Sequence, residues 1–157
     1  MYIDKMIEFS DSQVFSAETA TTETVSDNIA DLGAGEKDAF GTTIYADIGN
    51  AGTLIWHVLL GEAMVGGSAT LTCELITKSV ATSMSSGGTI IDTFIIPEAA
   101  LIGTHYQRPI PMGTISNRYM AVLYRANTDT VDSCLIDSWI SMDRNLTDSP
   151  VGTLPTS

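Results

Sequence analysis

Short runs of β-branched and apolar residues, broken by Gly, Ser, Asn and Pro, recur along the whole chain, and the 3.6-residue spacing of an amphipathic helix is almost absent. The pattern predicts strands over 53–60, 69–78, 89–96, 118–125 and 131–142, with weaker ones over 13–16, 22–32, 42–48 and 105–110. Turn chemistry stands between them, as Gly49-Asn50-Ala51-Gly52, Gly66-Gly67, Ser85-Ser86-Gly87-Gly88 and Asn127-Thr128-Asp129. Seven to nine short strands punctuated in this way predict an all-β chain folded as a two-sheet antiparallel sandwich of jelly-roll type. One short helix is expected near 97–102, because Pro97 suits the first helical position, Glu98 the positive end of the dipole and Gly103 the stop. No internal repeat or linker divides the chain. The expectation is a single domain over 1–149 with an N-terminal arm over about 1–16 and an extended tail over 150–157, rich in Pro, Gly, Ser and Thr.

Alternation within the strands separates their faces. In 131–142, Cys134, Ile136, Ser138, Ile140 and Met142 share one face, which reads as core, and Leu135, Asp137, Trp139 and Ser141 share the other. In 118–125, Met120, Val122 and Tyr124 oppose Tyr119, Ala121 and Leu123. In 53–60, Leu54, Trp56, Val58 and Leu60 oppose Ile55, His57 and Leu59. The last two strands are apolar on both faces, whereas a strand with a solvated outer face alternates apolar with polar. Their outer face is therefore expected to be covered.

Charge narrows the partners. Across 157 residues, 19 acids face 7 Lys and Arg, a formal net charge of -12. The cations are scattered, which speaks against direct nucleic-acid binding and against an anionic membrane surface. Only 17% of residues are charged while 44% are apolar, with a mean hydropathy of +0.18, a balance that favours hiding apolar surface in an assembly. The N-terminus shows no basic region followed by an apolar signal-type run, and no segment reaches the 18 consecutive apolar residues of a membrane-spanning helix. Cys73 and Cys134 read as reduced, buried residues. The sequon Asn145-Leu146-Thr147 reads as a chance match.

Candidate chemistry is sparse. Two histidines permit a Ser–His–Asp arrangement by count, yet no G-x-S-x-G elbow occurs, and His57 and His105 read as hydrogen-bonded core or interface residues. No zinc-ligand spacing or calcium loop is present, so no metal site is expected; Asp129 and Asp132 with Asp27 or Asp31 read as solvated acids. Gly33-Ala34-Gly35-Glu36-Lys37-Asp38 lacks the third glycine and the flanking elements of a phosphate loop, and no cofactor is expected. Paired carboxylates carry no signal among 19 acids.

Specific strings say more. Met1-Tyr2-Ile3-Asp4-Lys5, Phe9-Ser10-Asp11-Ser12-Gln13 and Ser26-Asp27-Asn28-Ile29-Ala30-Asp31-Leu32-Gly33 resemble the opening of the small jelly-roll capsid cement (decoration) proteins of tailed bacteriophages, the type seen on Bordetella-phage-like short-tailed viruses. Ser68-Ala69-Thr70-Leu71-Thr72-Cys73-Glu74-Leu75, Phe94-Ile95-Ile96-Pro97 with Ala99-Ala100-Leu101, and Arg108-Pro109-Ile110-Pro111-Met112-Gly113 leading into Arg118-Tyr119-Met120-Ala121-Val122-Leu123-Tyr124 follow in the family's order. Together the strings are spread from Met1 to Tyr124. Residues 35–52, the loop 81–88, and Ala121 and Leu123 depart from the pattern.

The resemblance implies a non-enzymatic virion protein, made in the host cytoplasm, that sits on the outer face of an icosahedral capsid. Its partners would be the major capsid protein and itself, as a dimer or trimer, with no nucleic acid and no membrane. Outer-face side chains Trp56, Tyr119, Leu123 and Trp139 are the expected subunit contacts, and Ile3, Phe9, Phe15 and Leu154 the expected contacts of the two arms. The alternative is a jelly-roll carbohydrate- or receptor-binding module of a virion, using the two Trp and five Tyr as stacking surfaces.

Overall fold

A computed structural model describes residues 8–17, 23–37, 39–44, 54–65, 69–97, 100, 102–110, 115–127 and 129–141. Ten strands or short ladder segments precede the last: β1 (Glu8–Ala17), β2 (Glu23–Val25), β3 (Ala30–Asp31), β4 (Glu36–Lys37), β5 (Thr43–Ile44), β6 (Leu54–Leu60), β7 (Thr70–Lys78), β8 (Thr89–Ile96), β9 (His105–Ile110) and β10 (Tyr119–Asn127), followed by β11 (Val131–Ser141). One sheet runs β1-β11-β6-β9, and the other β2-β10-β7-β8 with β3 also on β10. All pairings are antiparallel. β4 and β5 form a separate two-stranded ribbon.

The pairings are nested. β1 joins β11, β2 joins β10, β6 joins β9 and β7 joins β8, so the chain is one long antiparallel hairpin. Rolling that hairpin brings β11 against β6 and β10 against β7, and it closes a four-stranded and a five-stranded layer in jelly-roll order. The expected all-β jelly-roll sandwich is what the chain forms. Among the described residues there is no helix; Ala100 donates to the Pro97 carbonyl at 2.9 Å in a single turn, and residues 98, 99 and 101 of the predicted helix lie outside the described residues.

Alternation fills the space between the sheets. Phe15, Trp56, Val58, Leu60, Cys134 and Ile136 from one layer meet Leu71, Cys73, Leu75, Phe94, Met120, Val122 and Tyr124 from the other, all buried. Trp56 packs on Phe94 with ring centroids 4.6 Å apart, and Phe15 meets Tyr124 edge-on at 6.3 Å. Both cysteines are free and buried.

This placement corrects several sequence expectations. Residues 8–16 are not an arm: they belong to β1, an edge strand of the first sheet, with Phe9 and Phe15 fully buried. Three register shifts in the β1–β11 ladder and a positive φ at Ser12 break its alternation, and those bulges hide both aromatics from a simple two-residue reading. Residues 1–7 and the tail 150–157 lie outside the described residues.

Trp56 is wholly buried and its indole N–H donates to Ser138 Oγ at 3.0 Å. Trp56→Ala should therefore cost about 3–5 kcal/mol through the cavity it opens. Urea unfolding monitored by circular dichroism checks this, and a loss below about 1 kcal/mol would show that the ring does not anchor the two layers.

Candidate functional site

The side chains named from sequence separate into three places. Ile3 and Leu154 lie outside the described residues. Phe9, Phe15 and Trp56 face inward at 0% exposure, so their contacts are with the chain's own core and their assignment to subunit or arm contacts is withdrawn. Tyr119, Leu123 and Trp139 do lie on outer faces, two on the second sheet and one on the first.

On the second sheet, the expected cover exists and is supplied by the chain itself. Met84, from the β7–β8 loop, packs with Ile76, Ala121 and Leu123, and half-buried Val25 and Tyr119 border the group. The loop keeps its shape through Lys78, whose ammonium donates to the carbonyls of Ser83 at 2.6 Å and Ser86 at 2.5 Å. Gly87 holds φ at +72°, which favours glycine there, and a Cβ on Gly88 would stand 3.1 Å from Ile76 Cδ1, a tight approach that asks that side chain to give. Beyond the cluster, Arg125 bridges Glu74 at 2.7 Å and Glu23 at 3.3 Å, and Arg118 holds Asp31 through two bonds of 2.7 Å. That guanidinium, helped by the Gly33 N–H, keeps the exposed Asp31 carboxyl down at about 2.

On the first sheet, register brings together what sequence kept apart. His57 stands opposite Trp139 on β11 and diagonal to His105 on β9. The His57 and Trp139 rings stack at 4.9 Å and 9°, and His105 lies 5.1 Å from His57 and 5.4 Å from Trp139. His57 is fully buried, and Trp139 is 7% exposed with an indole N–H that meets no acceptor among the described residues.

Hydrogen bonds run through this stack from Gln107 to Ser141. Gln107 Nε2 lies 3.2 Å from His105 Nδ1, His105 Nε2 lies 3.0 Å from His57 Nδ1, and His57 Nε2 lies 2.8 Å from Ser141 Oγ. With the amide donating, each ring donates onward from Nε2, and both imidazoles are neutral. Turning the Gln107 amide over reverses every donor, and Ser141 then donates to His57. In the first polarity Ser141 is an acceptor; in the second it is the hydroxyl of a Ser–His–His relay. Neither could be read from sequence, because His57, His105 and Ser141 become neighbours only through the β6–β9 and β6–β11 ladders.

Among the described residues, no three His, Cys, Asp or Glu side chains converge where they could hold a metal ion. The buried thiols are both shifted upward by desolvation, Cys134 to about 12 and Cys73 well above its usual range. In comparisons with known proteins, no family model and no curated sequence matches the chain.

Burial, reinforced by His105, lowers His57 from 6.5 to about 4. The unfolded chain thus takes up a proton that the fold refuses between those values, so this contribution is complete above pH 6.5 and is lost as pH falls toward 4. The loss should approach about 3 kcal/mol by pH 4. Urea midpoints at pH 7, 5.5 and 4 test it, with His57→Gln expected to flatten this part of the profile; equal slopes in both proteins would disprove the assignment.

Proposed function

We propose that the chain is a structural virion protein that binds the outer surface of an icosahedral phage capsid and clamps adjacent major capsid subunits against internal DNA pressure. The observation that carries this reading is where the family-like strings fall. Apart from residues 1–5, which lie outside the described residues, they fall on or beside β1, β3, β7, β8, β9 and β10, strands of the two sheets of the sandwich.

Other features accord with it. A body of net charge -12 suits an outer surface and not one facing packaged DNA. Large hydrophobic side chains stand more than half exposed at Val14, Phe40, Ile95 and Ile102, as expected of a protein that meets neighbours. The clip acts by binding, not by turnover, and holds the assembled shell by RT ln(1 + [L]/Kd) per site. Copies joined as a dimer or trimer gain avidity when one oligomer spans several capsomers.

A carbohydrate-binding role has less support. Stacking on sugars needs exposed aromatic faces, while Trp56 and Tyr124 are wholly buried and Trp139 nearly so.

The test is to mix the purified chain with cognate empty shells, pellet them and measure occupancy. Saturable binding at fixed stoichiometry, with shells that withstand higher temperature, is the expected result. A chain that stays in the supernatant at every concentration sinks the proposal, and binding to a glycan array instead would transfer it to the carbohydrate reading.

A further inference from the structure

β8 ends the second sheet on one side: among the described residues it ladders with β7 alone. An edge strand turns part of its backbone N–H and C=O groups away from its own sheet, and these form a template on which another strand can add. The composition of β8 suits such addition. Thr89–Ile96 reads Thr-Ile-Ile-Asp-Thr-Phe-Ile-Ile, with seven of eight residues β-branched or aromatic, neither Gly nor Pro, and one charge. Ile90 and Ile95, paired with Ile76 and Thr72 on the outer face of the sheet, stand 53% and 64% exposed.

What opposes addition gathers at the strand's single charge. Asp92 Oδ1 accepts from the Thr93 N–H at 2.8 Å and from Arg108 Nη1 of β9 at 2.9 Å. An amide bonded to the carboxylate of the residue before it is turned away from β7, so the Thr93 N–H is one of the donors that an added strand would use. The Arg108 guanidinium lies 5.1 Å from the Phe94 ring centre, and Phe94 meets Tyr106 of β9 at 5.6 Å, so the clasp joins the edges of the two sheets. Beside it the β7–β8 register shifts, from Leu75–Asp92 to Ile76–Ile90, a bulge that interrupts the flat run.

We propose that Asp92, held by Arg108, is a gate that keeps the β8 edge from pairing with β8 of a second copy of this chain. An identical strand is the occupant that fits, because it brings the same uninterrupted run of strand-forming residues and exposed isoleucines. Removing the carboxylate frees the Thr93 donor and takes the one charge from the strand. The gate is independent of the proposed capsid binding.

Asp92→Ala tests the gate. Its far-UV circular dichroism should match that of the unaltered chain, while mass-determined size exclusion shows species larger than the unaltered chain forms, growing with concentration. Asp92→Ala with Thr93→Pro removes the freed donor at the same position and should return the unaltered chain's size. A folded Asp92→Ala that keeps the unaltered size at every concentration overturns the gate, and so does association that persists undiminished in the double variant. Amide exchange gives a second test that needs no substitution. In the unaltered chain Thr93 should exchange at least about ten-fold more slowly than an unbonded amide; exchange at the unbonded rate overturns the cap, and the gate with it, even where Asp92→Ala does not fold.

Discussion

Nested antiparallel pairing governs where every other group in this protein can go. Once β7 and β8 meet around the loop 79–88, β6 must find β9, β2 must find β10, and β1 must find β11, because each pair is the continuation of the same hairpin. The outermost pairs close the longest loops and depend most on contacts made after rolling. Those contacts are partly polar. Tyr124 on β10 and Ser10 on β1 join across the two sheets at 2.7 Å, Ser10 donates to Gln13 Oε1 at 2.6 Å, and Gln13 Nε2 donates to the Val25 carbonyl of β2 at 2.9 Å. Ser26 Oγ accepts from the Val122 N–H at 3.1 Å. A buried hydroxyl or amide is tolerated only when bonded, so this group ties the edge strand β1 to β10 and β2 of the opposite layer.

Two outer faces then face the same problem and solve it differently. The second sheet folds its own β7–β8 loop back, so Met84 covers Ile76, Ala121 and Leu123, and Lys78 supplies the ammonium that holds the loop's carbonyls. The first sheet instead stacks three flat rings. Trp139, His57 and His105 stack their rings on one another, and His57 reaches His105 through one ring nitrogen and Ser141 through the other. A burial this complete keeps His57 uncharged at neutral pH. A charged ring there would lose hydration and face a second imidazole.

The sandwich was legible in the sequence because its long strands alternate cleanly: Met120, Val122 and Tyr124 turn inward and Tyr119, Ala121 and Leu123 outward, as the two-residue period requires. The period could not say which face of β6 is inner, since both are apolar; Trp56 is placed by its pairing with Ile140 and its contact with Phe94, neither of which is local. β1 was missed as a full strand because bulges put Phe9 and Ser10 on the same side. The span 22–32 reads as one strand but divides into β2 and β3, with Ser26 accepting and donating between them. The histidine relay had no signal in the sequence, as His105 and Ser141 lie 48 and 84 residues from His57.

Electrostatics decides what kind of contact such a body makes. The three arginines among the described residues are used internally, Arg108 on Asp92 and over the Phe94 ring, Arg118 on Asp31, Arg125 on Glu23 and Glu74. Each bridge joins neighbouring strands or elements and neutralises an acid locally, while the overall excess of 19 acids over 7 cations remains. At distances beyond about 10 Å that excess is screened at ordinary ionic strength, so it discourages like-charged neighbours without reaching far. Adhesion at contact must then come from uncharged surface, where no ion has to be stripped of water. In the proposed assembly the exposed side chains of Val14, Phe40, Ile95 and Ile102 would supply that surface, with the acidic field acting as a filter on partners.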